Sequence, residues 1–210
     1  MTVASGSLPK LLILGAGGHG RVVADAAQRQ GAWRVVEATD RDPARCSGEL
    51  IAGVSRVEPR GALAGAVAVH VAIGDGRARQ AEAATLDPES LSTVVHPQAS
   101  VSPHSSVGPG CFVAAQAVVA PGARLGAGVI VNHGAVVDHD CEVGSFSHVA
   151  PQAALGGGVR IGDRVLVGTG ACVLPGIRIC DDVTVGAGSV VRSPITQSGV
   201  YAGVPARRIR

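Results

Sequence analysis

The stretch Val131-Asn-His-Gly-Ala-Val-Val137-Asp-His-Asp-Cys-Glu-Val143-Gly-Ser-Phe-Ser-His-Val149 places a valine at every sixth position. Extended both ways, the register puts Val, Leu or Ile at seventeen successive sixth places, from Val95 to Val191. Four places after each stands a small or branched residue, such as Ala117, Cys141, Ser147, Val165 or Ile177. A period of six fits neither the turn of a helix nor the alternation of an ordinary strand. It fits a short strand followed by a sharp corner. The aliphatic and the residue four later point inward, and Gly, Pro, Asn and Asp bend the chain. Three such strands close a triangular coil of eighteen residues, and the seventeen hexads give five to six stacked coils of a parallel β-solenoid.

Composition agrees with a narrow prism, which takes branched aliphatics and alanine more readily than rings. The chain has only four aromatics: Trp33, Phe112, Phe146 and Tyr201. The uncharged run from Ser105 to Ala123 is interrupted by Pro109, Gly110, Gln116 and Pro121, and the six-residue beat continues through it. That argues against a membrane segment. A net charge of +2 without a basic cluster interleaved with aromatics argues against nucleic acid. Arg207, Arg208 and Arg210 make one dense basic spot, either a solvated terminus or a contact for cofactor phosphates. Met1 to Lys10 lack an apolar signal core, and five cysteines show neither CxxC nor zinc spacing, so a reducing, cytoplasmic setting is expected. Cys111 and Cys141 hold the fifth place of their hexads and read as packing residues.

The first part of the chain follows other rules. Leu11 to Leu14 is an apolar strand, followed by Gly15-Ala-Gly-Gly-His-Gly20 and a helix from Arg21 to about Gln30. A second strand near Trp33 to Ala38 ends at Thr39-Asp40. A third, Val67 to Ile73, runs into Gly74-Asp75-Gly76 and a helix carrying Arg77 and Arg79. This is a short βαβαβ pattern with parallel strands. The glycines let backbone approach a ligand, and the helix N-terminus attracts phosphate. Gly15, Gly17 and Gly20, with Asp40 twenty residues beyond the last, formally match a dinucleotide fingerprint. The domain closes near residue 92, with room for only half of a full dinucleotide fold. A nucleotide-linked sugar suits it better, although NAD binding and a purely structural glycine turn stay open. The expected division is 8–92 for this α/β half-Rossmann domain, 93–198 for the solenoid and 199–210 for a tail.

On the prism, His139 is third in its hexad, at an outward corner between Asp138 and Asp140. A carboxylate beside an imidazole fixes its tautomer and raises its basicity. A solvated corner histidine between turn aspartates is the equal alternative.

The ordered set of motifs adds to this reading. Gly-Ala-Gly-Gly-His-Gly after a strand, unbroken hexads, Asp-His-Asp-Cys-x-x-Gly-x-Phe-x-His and a closing Gly-Val-Pro-Ala-Arg-Arg-Ile span Leu11 to Ile209. Together they resemble the hexapeptide-repeat sugar acetyltransferases, which include the UDP-amino-sugar N-acetyltransferases of bacillosamine synthesis and the sialic acid O-acetyltransferases. The resemblance implies a left-handed parallel β-helix, a homotrimer, acetyl-CoA as co-substrate, no metal, and a nucleotide sugar as acceptor. It implies His139 as general base, Asp140 as its tuning acid and Asn132 as a polar residue lining the cleft. It places His148, Thr169 and Ala187 against acetyl-CoA. His133, Thr169 and Ala187 are also spaced by multiples of eighteen, which stacks them on one corner. Gly17, Gly18 and His19 match the loop that holds the nucleotide sugar, with Asp40 beside it and Gly74 among the substrate-binding positions. One departure is Thr39-Asp40, where the family often has paired acids. Transfer to an amine is the favoured reaction and sugar O-acetylation the alternative. A γ-type carbonic anhydrase is disfavoured because the gaps of six and nine between His133, His139 and His148 do not match that family's histidine pair. A non-catalytic nucleotide-sugar scaffold is the remaining rival.

Overall fold

The structure, a computed structural model, describes residues 8–64 and 68–209, so the expectations for residues 1–7, Val67 and Arg210 lie outside the described residues. The apolar run Leu11 to Leu14 forms the buried part of β1 (Lys10–Leu14). It is followed by α1 (Gly18–Gln30), β2 (Val35–Thr39), β3 (Glu49–Ile51), β4 (Val54–Arg56), α2 (Pro59–Ala64), β5 (Ala68–Val71) and α3 (Gly76–Ala83). The sheet order is β3-β4-β2-β1-β5, with β1, β2, β4 and β5 parallel and β3 antiparallel to β4. Strands β3 and β4 were not legible beforehand, because three residues each are too few to show alternation.

Helix α1 starts at Gly18, three residues ahead of the expected Arg21. Gly17 takes the extended cap conformation (φ −88°, ψ −160°), and its carbonyl accepts from the Arg21 amide at 3.2 Å. Gly18 and His19 therefore sit on the first helical turn rather than in the loop. Gly20 has no room for a Cβ, which would collide with the Gly15 carbonyl, so α1 lies directly on the strand end.

Each hexad forms one short strand, and up to the last coil each strand pairs in parallel with the strand eighteen residues later, as in Val131↔Val149↔Val167↔Val185. The residues at the first and fifth hexad places line the interior, from Cys111 and Val113 through Ile195. Cys141 lies inside the wall, its Sγ directed at the Gly156 carbonyl at 3.2 Å. The fourth place adopts positive φ at fourteen successive positions, from Gly110 to Gly188. Eight are glycine, and the others are Gln116, Asp140, Phe146, Gln152, Arg164 and Asp182. The left-handed residue is the corner, and a side chain there costs on the order of 1–2 kcal/mol.

The three faces differ outside. One presents Val94, Phe112, Ile130, His148, Leu166 and Thr184. Its first part is sealed against Leu11, Ile13, Val23, Ala26 and Ala27 in a single apolar cluster, so the N-terminal domain is docked on this face. A second presents Arg124, Glu142, Arg160 and Arg178 and is charged. The third presents Ser100, Val118, Val136, Ala154, Cys172 and Val190, with no charged group. Beyond the hexads, Gly199–Ala202 extends the docked-face sheet beside Val183–Val185, and Arg207–Arg208 folds back on Tyr201–Ala202. Both arginines are exposed, and Arg208 donates to the Ser198 carbonyl at 3.3 Å.

If the prism interior is the stabilising core, Leu155→Ala should lower unfolding free energy by about 2–5 kcal/mol. Denaturant unfolding checks this, and a change well under 1 kcal/mol would contradict it.

Candidate functional site

His139 and Asp140 stand on the corner between the uncharged and the charged faces. Asp140 is one of the left-handed non-glycine residues (φ 58°), and that backbone swings its carboxylate onto the neighbouring ring. His139 Nδ1 lies 2.9 Å from Asp140 Oδ2. An ionised carboxylate only accepts, so the proton is on Nδ1 and Nε2 carries the free lone pair. Asp138 turns to its own corner and accepts from the His139 amide at 2.7 Å. The Asp140 hydrogen bond, followed by the nearby Asp138 charge, pushes the His139 pKa above its ordinary value. One coil on, Gly157 leaves space for the ring, since a Cβ there would strike Nε2. The corner thus holds an exposed imidazole in one tautomer with its basic nitrogen open.

A second group lies where the docked face meets α1. Asn132 Oδ1 accepts from the His133 amide at 2.9 Å, which directs its Nδ2 to His148 Nε2 at 3.1 Å. The Nε2 atom of His148 is consequently the bare nitrogen and Nδ1 bears the proton. Burial, reinforced by the Arg79 charge, lowers the His148 pKa to about 4, although a hydrogen bond to the Gly74 carbonyl pulls the other way. His19 sits 6.5 Å from His148 between ring centres and meets Phe112 edge-on at 5.4 Å. Its pKa falls to about 3, chiefly through burial, and its Nε2 is buried without a hydrogen-bond partner. Beside this group a cleft of about 410 Å³ is walled by Gly74, Gly76, His148, Arg164, Asp182 and Thr184.

The glycine turn forms a third group. Asp40 Oδ2 accepts from the Ala16 amide at 2.9 Å, and Oδ1 accepts from the Asp42 amide at 3.0 Å. Those backbone bonds outweigh its partial burial and hold the carboxyl below its usual range. Asp40 therefore braces the turn as well as lining the adjacent pocket of about 320 Å³ with Leu14, Pro59, Leu63 and Ile73. The α1 N-terminus has no acidic residue in its first turn and no side-chain cap. Arg21, Arg45 and Arg56 surround it with Gly17 and Gly18. Arg56 Nε is buried without a hydrogen-bond partner.

Thr169 and Ala187 are exposed on the corner between the docked and the uncharged faces. That corner stacks His133, Pro151, Thr169 and Ala187, as the carbonyls of His133, Pro151 and Thr169 accept from the amides of Gln152, Gly170 and Gly188. The structure thus brings Asn132, His148, His19 and Gly74 together, and Gly17, Gly18 and Asp40 together. His139 with Asp140 stands on a different edge of the prism. Sequence reasoning gave no role to Arg21, Arg45, Arg56, Arg79 or the Arg164–Asp182 pair. Isolated arginines carry no spacing signal, although positions 164 and 182 are eighteen apart. Among the described residues, no group of three His, Cys, Asp or Glu side chains could hold a metal ion.

Comparison with known proteins accords with this geometry. Residues 10–86 match the PglD N-terminal domain family, and residues 158–193 match the bacterial transferase hexapeptide (six repeats) family. The acetyltransferase domain of PglB from Neisseria gonorrhoeae FA1090, in complex with acetyl coenzyme A, is 35% identical over 97% of this chain and 100% of that one, with a TM-score of 0.90. PerB from Caulobacter crescentus, in complex with CoA and GDP-perosamine, is 37% identical over 99% of both chains, with a TM-score of 0.86. WeeI from Acinetobacter baumannii AYE, at 22% identity over 95% of this chain and 99% of its own, shares the fold with a TM-score of 0.79. No curated protein matches the chain. The fold and these likenesses define an acyltransferase with a Rossmann-like N-terminal domain on a left-handed β-helix. The chain belongs to the hexapeptide-repeat sugar acetyltransferases.

Because Asp140 stabilises the imidazolium, Asp140→Asn should lower the His139 pKa. A histidine NMR titration checks it; an unchanged or higher value would contradict the pairing.

Proposed function

We propose that the protein transfers the acetyl group of acetyl-CoA directly to the amine of a nucleotide-linked amino sugar. The observation that carries this reading is the His139–Asp140 pair, which leaves Nε2 free on an exposed corner. Support for the substrates comes from the likeness to a PglB domain that holds acetyl coenzyme A and to PerB that holds CoA and GDP-perosamine. The uncapped α1 N-terminus with Arg21, Arg45 and Arg56 suits the diphosphate of such a sugar. Gly17, Gly18, His19, Asp40 and Gly74 are the proposed acceptor-binding positions, and His148, Thr169 and Ala187 those of acetyl-CoA.

In the proposed reaction the sugar nitrogen attacks the thioester carbonyl while His139 Nε2 takes its proton. Collapse of the tetrahedral intermediate breaks the carbon–sulfur bond, and the imidazolium returns the proton to the departing thiolate. Asp140 holds the ring in the required tautomer and stabilises its charged form. His148 is less suited as the base, because its bare Nε2 already accepts from Asn132 and its basicity is low.

The same proposal assigns the active assembly as a homotrimer. The uncharged face, with Val118, Val136, Ala154, Cys172 and Val190 beyond Ser100, lacks the charged groups of a solvated sheet surface and fits a second copy. That face is bordered on one side by the His139 corner and on the other by the corner carrying His133, Thr169 and Ala187. Three such faces around a threefold axis set the first corner of one chain against the second corner of its neighbour. Such packing would bring His139 and Asp140 of one subunit to the Asn132–His148 side of the next.

His139→Ala should reduce kcat by about 10²–10⁴-fold with the fold retained, read as thiol release from acetyl-CoA with nucleotide amino sugars. Full activity in that variant would overturn the assignment. The acidic limb of the wild-type kcat/KM profile reports His139 losing its proton as pH rises. With its pKa raised by Asp140, the Asp140→Asn limb should move to lower pH.

A further inference from the structure

Arg79 is the largest fully buried side chain outside the roles assigned so far, with 1% of its surface exposed. It projects from α3 of the N-terminal domain into the seam with the solenoid, where its bonds go to five backbone carbonyls. Nε donates to Gly128 at 2.8 Å, and Nη2 donates to Phe146 at 2.6 Å and Ser147 at 3.3 Å, all on the solenoid. Nη1 donates to Ile73 at 2.6 Å and Gly74 at 3.0 Å, on the turn leading into α3. A guanidinium offers five N–H groups in a rigid planar fork, so one side chain can hold two backbone segments at a fixed separation. Burying such a cation is expensive, which makes an incidental contact of this completeness a poor explanation.

Both segments it joins line the 410 Å³ cleft, Gly74 and Gly76 from the turn and Phe146 and His148 from the solenoid. The approach is close: a Cβ on Gly76 would come within 2.6 Å of the Phe146 carbonyl. Gly74 is also the acceptor that faces His148, whose other nitrogen is held by Asn132. We infer that Arg79 is a positioning residue for the transfer site, a cationic clamp that fixes the Ile73–Gly76 turn against the Gly128 and Phe146 corners. It thereby keeps His148 in its Nδ1-protonated tautomer within the cleft. Nearby, Arg164 bonds Asp182 through two 2.9 Å contacts, and Arg77 reaches the same carboxylate. The Arg164–Asp182 pair lies part-buried on the solenoid, and Arg77 and Gln80 reach it from α3 across the seam.

The inference rests on the proposed acetyl transfer for its kinetic consequence, but its structural consequence is measurable without turnover. Arg79→Lys retains the charge and loses the fork; Gly76→Ala retains Arg79 and forces the seam apart. With circular dichroism and oligomeric state matching wild type, each variant should lose about ten- to a hundredfold in kcat/KM. The ¹⁵N shifts of the His148 ring should move from a single Nδ1–H tautomer to a mixture. A purely structural role would lower the melting temperature and leave both readouts unchanged at assay temperature, which would overturn the inference. Should Arg79→Lys fail to fold, Gly76→Ala alone decides in the same two readouts. If wild type releases no thiol with any amino-sugar nucleotide, the functional reading fails, while the His148 tautomer in the variants still tests the clamp.

Discussion

The solenoid depends on one backbone constraint, a left-handed residue at the fourth place of fourteen successive hexads. That residue turns the strand through the corner, fixes the coil at eighteen residues and keeps each aliphatic directly above the last. Glycine satisfies the constraint most cheaply, and at four of the six corners where another residue stands the side chain makes a specific contact. Asp140 reaches back to His139, Arg164 and Asp182 pair across one coil, and the Phe146 ring packs against the core of the N-terminal domain.

The docked domain makes use of the same regularity. Its α1 packs on the outward Phe112 and Ile130, so the glycine turn and His19 are set against the His148 row. Arg79 fixes the remaining freedom of that packing by hydrogen-bonding to corner carbonyls rather than to side chains. Backbone carbonyls at repeated corners are present whatever the local sequence, so a guanidinium can hold the seam without a matching acid.

Much of this was legible in the sequence, for specific reasons. A period of six is a one-dimensional signal, and it places Cys141 in the wall, His139 on an outward corner and Thr169 between His133 and Ala187 on one edge. The glycine turn announced a strand–helix junction, although α1 begins at Gly18 because Gly17 serves as cap. What could not be read depends on direction in three dimensions. The family resemblance named Asp140 as the acid beside His139, but the tripeptide Asp138-His139-Asp140 by itself is symmetrical, and only the fold turns Asp138 onto the backbone and Asp140 onto the imidazole. The two tautomers likewise follow from which partner each ring nitrogen meets. Arg79 is one arginine among several in the sequence, and only its five carbonyl partners distinguish it. The β3–β4 strands were too short to register.

Within one chain, the His139 pair and the Asn132–His148 group occupy different edges of the prism. The proposed chemistry requires them to meet across neighbouring subunits. The most direct measurement is subunit complementation: His139→Ala and His148→Ala chains, each expected to be strongly impaired alone, are unfolded together, refolded as mixed trimers and assayed. A centre shared between chains predicts recovery of about a quarter of wild-type turnover in an equimolar random mixture, because that fraction of interfaces joins an intact His139 to an intact His148. Mixed trimers that form and remain as inactive as either parent would contradict it.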